Sequence, residues 1–243
     1  MRLLQAQTVY QLTFMPRFFP VNCYFVEEED GFTLIDAALP NSAQAILQAA
    51  RQIGKPIMRI VLTHAHYDHV GALDALKQAL PEAAVHISKR DARLLAGDRT
   101  LEPGEPSTRI RGGVPAQLKT RADILLQEGD RIGSLSAMAA PGHTPGSMAF
   151  LDIRNGSLIA GDAFQTRGGI AVSGQIRPWF PFPAMATWNK EKALESARKL
   201  RDISPSLLAV GHGDWLEQPG QMMDRAIADA NRNLARHNNL QRS

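Results

Sequence analysis

Residues 63–71 read Thr63-His64-Ala65-His66-Tyr67-Asp68-His69-Val70-Gly71, directly after the apolar run Ile57 to Leu62. That short run predicts a buried strand ending at Thr63. In an extended segment alternate side chains share one side, so His64 and His66 point the same way. Asp68 and His69 fall where the chain turns into a helix through Leu73, Leu76 and Leu80, which Pro81 stops. Imidazole and carboxylate groups gathered this closely suit zinc, iron or manganese. A lone loop histidine is usually an ordinary polar residue. Three histidines and an aspartate within six positions, in a chain with seven histidines, are not explained that way.

Three later positions repeat the pattern. His143 lies in Pro141-Gly142-His143-Thr144-Pro145-Gly146-Ser147, a turn between predicted strands. Asp162 follows Leu158-Ile159-Ala160-Gly161, and His212 follows Leu208-Ala209-Val210-Gly211. Each is a ligand-type residue just past an apolar strand. Only His86, which reads as a strand residue, and His237, which reads as an exposed helix residue, stand apart.

Outward from these motifs, strands are predicted at 22–26 and 32–36 around the turn Glu27 to Gly31, and at 84–87, 124–126, 135–139, 148–153, 158–160 and 207–210. Helices are predicted from a cap at Asn41 or Ser42 to about Ile53, and over 91–96, 188–202 and about 218–238. Strands and single helices alternate through both halves with no linker, which predicts one domain over 1–243. Two sheets packed face to face, with helices outside both, would bury these strands. The stretches 97–121 and 163–187 are irregular and rich in Gly and Pro. Loops of that length predict functional segments that cover a pocket.

The composition excludes several classes. Of 243 residues 44% are apolar and 21% charged, and the net charge of +3 is spread along the chain. Nucleic-acid binding would require a concentrated basic stripe, so none is expected. No apolar stretch reaches the roughly 18 residues of a membrane span, and no membrane partner is expected. The single cysteine, Cys23, rules out an internal disulfide and a thiolate zinc site. The polar start Met1 to Gln7 predicts no secretory leader and a cytoplasmic protein.

The order His-x-His-x-Asp-His, then Gly-His-Thr-Pro-Gly-Ser, then Asp after Gly, then Gly-His, resembles the metallo-beta-lactamase superfamily of hydrolases, from about residue 20 to 215. The resemblance implies an α/β (α+β) four-layer αβ/βα sandwich with two divalent metal ions at one edge, zinc foremost and iron or manganese as alternatives. It implies that His64, His66 and His143 bind one ion, that Asp68, His69 and His212 bind the other, and that Asp162 bridges both. It makes Asp68 a catalytic candidate that orients a nucleophile. Asp36 resembles the early aspartate of the superfamily and is a candidate to support the ligands, with a turn-capping carboxylate as the alternative reading; Thr144 is a second supporting candidate. The implied activity is hydrolysis of a carboxylic ester, lactone or thioester by a hydroxide bridging two metals. A mononuclear iron persulfide dioxygenase and a phosphodiesterase of the same fold stay open. The Gly-His-Thr-Pro-Gly-Ser turn is not a Gly-x-Ser-x-Gly elbow, so serine-hydrolase chemistry has no motif here.

The chain is similar to small lactonases and to the glyoxalase II type. It lacks a tyrosine after Asp162, where acyl-homoserine lactonases usually have one, and the single helix after His212 cannot supply the glutathione-binding domain of a glyoxalase II. The expected partner is a small-molecule substrate. Candidates for its pocket are Phe18, Phe19, Tyr67, Phe164, Trp179 and Phe182; a lid packed on the core or a homodimer interface is the competing reading for the aromatic segment 163–188.

Overall fold

The segment Val21–Glu27 is almost wholly buried, and its side chains divide between two cores. Val21, Cys23 and Phe25 pack among helices, whereas Tyr24 and Val26 pack against a second sheet. This is the period-two geometry of a strand covered on both faces. The structure, a computed structural model, describes residues 1–115 and 117–240, the side chains of 237–240 excepted.

The chain opens with the strands β1 (Arg2–Ala6), β2 (Val9–Phe14), β3 (Val21–Glu27) and β4 (Phe32–Ile35). Then come α1 (Ala43–Ile53), β5 (Ile57–Val61), the one-turn α2 (Tyr67–Val70), α3 (Leu73–Ala79), β6 (Ala84–Ser88), α4 (Lys89–Leu95) and β7 (Ile124–Leu126). The second half contains β8 (Arg131–Ile132), β9 (Leu135–Ala139), β10 (Met148–Asp152), β11 (Ser157–Ile159), β12 (Phe164–Gln165) and β13 (Ala171–Val172). It ends with α5 (Phe182–Ala186), α6 (Lys190–Asp202), β14 (Leu207–Ala209), β15 (Leu216–Glu217) and α7 (Gly220–Leu240).

Strands β1 to β7 form one sheet in chain order, and a second sheet runs β15-β14-β11-β10-β9-β8. Val26, Ile35 and Val61 of the first meet Phe150, Ile159 and Leu207 of the second in the inner core. Ile46, Leu73, Leu76 and Leu94 cover the outer face of the first sheet. Leu194, Leu200, Met223 and Ala226 cover that of the second. The result is the expected four layers: helices, sheet, sheet, helices.

Strand direction, more than layering, decides where the loops meet. Strand β4 is parallel to β5, and β11 is parallel to β14. Strand β9 is antiparallel to β10, which is antiparallel to β11, so β9 also runs with β11. The loops after β5, β9, β11 and β14 carry His64 to His69, His143, Asp162 and His212. The two sheets are pinned together at this edge. Met148 N–H donates to Thr63 O at 2.8 Å, Asn22 N–H donates to Gly211 O at 2.9 Å, and the Tyr24 hydroxyl donates to Val210 O at 2.6 Å.

The structure departs from the sequence reading in several places, three of them instructive. The hairpin β1–β2 precedes the first predicted strand: β1 is mostly exposed and β2 buries Gln11 and Thr13, so neither has an apolar-polar alternation to read. Ser42 makes no side-chain cap, because a helical turn at Pro40–Ser42 already leads into α1. The stretch 163–187 is not wholly irregular, since it holds β12, β13 and α5. Among the described residues no helix is long and apolar enough to cross a membrane.

Candidate metal centre

The ligand-type atoms of His64, His66 and His143 lie within 4.8 Å of one another, and so do those of Asp68, His69 and His212. Asp162 stands between the two groups. Its Oδ2 is 3.3 Å from His143 Nε2 and 3.2 Å from His212 Nε2, and its Oδ1 is 3.4 Å from His69 Nε2. The other group closes through Asp68 Oδ2, which is 3.4 Å from His212 Nε2 and 3.9 Å from His69 Nε2. The seven residues thus converge from four loops.

Each ring is fixed by its far nitrogen. His64 Nδ1 meets Thr63 Oγ1 at 3.0 Å, and His66 Nε2 meets the Arg111 carbonyl at 3.0 Å. His143 Nδ1 meets Ser173 Oγ at 3.0 Å and Thr187 Oγ1 at 3.3 Å. His69 Nδ1 meets Asp36 Oδ2 at 2.8 Å, and His212 Nδ1 meets the Pro20 carbonyl at 2.7 Å. A carbonyl or carboxylate at one nitrogen makes that nitrogen the N–H donor and leaves the other a lone pair.

The inward atoms include His64 Nε2, His69 Nε2 and Asp162 Oδ1, which are buried without a hydrogen-bond partner. Buried polar atoms are ordinarily paired, and an orphan is costly. These three atoms, gathered with the other histidine nitrogens and carboxylate oxygens of the cluster, form a donor set that cations would satisfy together. The donor set, nitrogen and oxygen without sulfur, therefore fits two adjacent divalent ions.

The two groups differ electrically. Burial pushes His64, His66 and His143 below the ordinary histidine range, His143 to about 3. Burial acts the same way on His69 and His212, but Asp162 and Asp68 beside them outweigh it. His69 is raised to about 9 and His212 is raised well above its usual value. Burial would raise the carboxyls of Asp68 and Asp162; the neighbouring histidines outweigh it and hold both well below the usual range.

Asp36 accepts from Thr63 N–H at 2.8 Å and from Thr63 Oγ1 at 2.7 Å, besides His69. It therefore ties the Thr63 strand end to the His69 ring, as a supporting carboxylate would. Its φ of +62° is a conformation that aspartate tolerates better than most residues. Thr144 Oγ1 donates to Asp91 Oδ2 at 2.7 Å. Asp91, fully buried on α4, also accepts from Ala65 N–H at 2.9 Å and Gly146 N–H at 2.8 Å. It thus clamps the His64–His66 segment to the His143 turn. Burial raises its carboxyl to about 6 against those donors. Nothing in the sequence singles out Asp91, which reads as an ordinary acid in the first turn of a helix.

Two glycines are shaped by the site. A Cβ on Gly112, at φ +84°, would run into the ring of His66, and a Cβ on Gly211 would run into Asp162 Oδ1 and His69 Cε1. Gly112 belongs to the irregular stretch 97–121, which Trp188 anchors by donating from Nε1 to Thr108 O at 2.8 Å.

A cleft of about 260 Å³ opens over the cluster. Phe19, Tyr67 and Phe182 line it. Phe18, Trp179 and Phe164 do not. In the turn after Met15, Phe19 packs on His212 while its neighbour Phe18 is 81% exposed. Phe180 takes the inward position beside His212 and leaves Trp179 87% exposed over Gly168. Phe164 is buried in the core beneath α6 and α7. His86 lies in β6 away from the cluster, and the side chain of His237 lies outside the described residues.

Comparison with known proteins agrees with this geometry. The family model for the metallo-beta-lactamase superfamily matches residues 16–212. Over 230 residues, 95% of this chain and 99% of the other, the chain is 61% identical to the uncharacterized protein YobT of Bacillus subtilis. It is 32% identical over 184 residues to the acyl-coenzyme A thioesterase MBLAC2 of Gallus gallus, covering 66% of this chain and 61% of that one. Among solved structures, the di-iron-bound form of TTHA1623 superposes with a TM-score of 0.61 at 26% identity, covering 87% of this chain and 96% of that one. With its four-layer fold, its converging histidines and aspartates and a family match over most of its length, the chain belongs to the metallo-beta-lactamase superfamily, whose members are metal-dependent hydrolases.

Proposed function

We propose that this protein is a dinuclear metal-dependent hydrolase of a carboxylic ester, lactone or thioester, with zinc as its working metal. The observation that carries the reading is the set of buried, unpartnered inward atoms on His64, His69 and Asp162. His64, His66 and His143 would hold one ion. Asp68, His69 and His212 would hold the other, with Asp162 placed to serve both. When bound, the two ions supply Lewis acidity and a water acidic enough to attack near neutral pH.

The chain's own groups do the rest. Asp68 has the most exposed side chain of the cluster's paired groups, 25% open against 3% or less for His69, His143, Asp162 and His212. Its Oδ2 faces His69 and His212, which leaves Oδ1 to accept a hydrogen bond from the attacking water and hold it in line. Asp36, Asp91 and the backbone of 111–112 fix the rings and so hold the site in one geometry before substrate arrives. Phe19 and Phe182 exclude bulk water from one side. The likeness to an acyl-coenzyme A thioesterase favours a thioester among the three bond types.

The test is a panel of thioesters, esters, lactones, phosphodiesters and beta-lactams offered to protein reconstituted with zinc, iron or manganese. Carboxylic acyl substrates are expected to be cleaved, the activity being lost on chelation and restored by metal. Full activity in metal-free protein or in Asp162→Ala would overturn the reading. Oxygen uptake with a glutathione persulfide, without hydrolysis of any panel member, would replace it with an oxidative one.

A further inference from the structure

Of the residues lining the cleft, five belong to the metal-binding cluster, and the other six are Phe19, Tyr67, Gly113, Phe182, Pro183 and Ala186. None of the eleven is a lysine, arginine, asparagine or glutamine, and the Tyr67 phenol is the one neutral polar side chain. A second anionic group lying along Phe19 and Phe182, away from the metal-binding residues, would meet no lysine or arginine there. Desolvating such a group without a partner is unfavourable.

What the cleft offers instead is an apolar wall. The ring of Phe19 lies 5.2 Å from those of Phe180 and Phe182 and 5.4 Å from His212. Phe182 is 52% exposed, and Met185, one turn further along α5, is exposed as well. The wall therefore has an inner end against a metal-binding histidine and an outer end that no described residue covers. The cleft volume of about 260 Å³ is small for a whole cofactor-linked substrate. A cleft of this size would take the acyl end and leave a carrier outside.

We infer that the group recognised in the cleft is an uncharged aliphatic acyl chain, lying along Phe19 and Phe182 with its scissile end toward His212 and the metal-binding cluster. This rests on the hydrolase reading and narrows it to a substrate class. Discrimination comes from area removed from water, and it grows by about fourfold for each methylene that the wall covers.

The experiment uses metal-loaded protein and the N-acetylcysteamine thioesters of acetate, butyrate, octanoate and succinate. The kcat/KM is expected to climb from acetyl to octanoyl, succinyl is expected to fall below butyryl, and Phe182→Ala is expected to flatten the series. In parallel, calorimetry compares octanamide with acetamide on metal-free protein, where turnover plays no part; octanamide is expected to bind more tightly and to lose that advantage in Phe182→Ala. A flat series, succinyl cleaved as well as butyryl, or octanamide binding indifferent to Phe182 overturns the inference. A protein that cleaves no thioester, ester or lactone but binds octanamide through Phe182 would sink the hydrolase reading and uphold this one. Cleavage without dependence on chain length would do the reverse.

Discussion

The two halves of the metal centre are built from the same residue types but held differently. His64, His66 and His143 are kept neutral by burial, and their outer nitrogens rest on hydroxyls and on one loop carbonyl. His69 and His212 sit among carboxylates that favour their protonated forms, and their outer nitrogens rest on a buried carboxylate and a carbonyl beside β3. The first half is ready for a cation as it folds. The second half would release protons on taking up its cation. One site is thus shaped mainly by packing and the other mainly by charge, and the shared Asp162 couples them.

Asp162→Ala attacks the coupling and has the largest expected effect. Both ions should be held more weakly, and activity should fall by more than the about 10–100-fold typical of an outer partner; metal content and kcat/KM together check it. The glycine pair separates the halves. Gly112→Ala displaces His66 and is expected to weaken the first ion by about 10–100-fold, the scale of a disturbed ligand orientation. Gly211→Ala meets His69 and Asp162 and should fall mainly on the second ion. Competitive chelator titration reads both, and equal losses at both ions in both variants would break the comparison.

Asp36→Asn keeps the size of the side chain but removes the charge facing His69. It is expected to lower affinity for the second ion by about tenfold with less change at the first, as read by the same titration.

The smallest effect concerns Asp91 and appears in stability. Its folded carboxyl is raised from 3.8 to about 6. The folded state therefore binds a proton where the unfolded chain has released it, so the contribution of Asp91 is fullest below about pH 4 and is lost as pH rises to about 6. Denaturant midpoints measured across that window in metal-free protein should carry this downward component, and Asp91→Asn should remove it. An unaltered pH profile in the variant would contradict it.

How much of this the sequence shows depends on what kind of group does the work. Ligands are polar residues set against apolar strand ends, a contrast visible in residues 57–69 and again before His143, Asp162 and His212. The groups that orient them are not visible that way. Ser173, Thr187 and the carbonyls of Pro20 and Arg111 are ordinary residues until the fold places them, and Asp91 resembles any helix-starting acid. The same limit explains the aromatics. Phe18 and Phe19 are identical neighbours, and only the turn after Met15 sends one to the cleft and the other to water. The hairpin β1–β2 is hidden for a related reason, since its pairing partner β3 lies in a later segment.

The most direct test is the number of metal ions per chain, counted by elemental analysis on protein loaded and then freed of loose metal. The account predicts two equivalents in the native chain and one in His212→Ala, with the His64–His66–His143 half still filled. A single equivalent in the native chain, or two in His212→Ala, would contradict it.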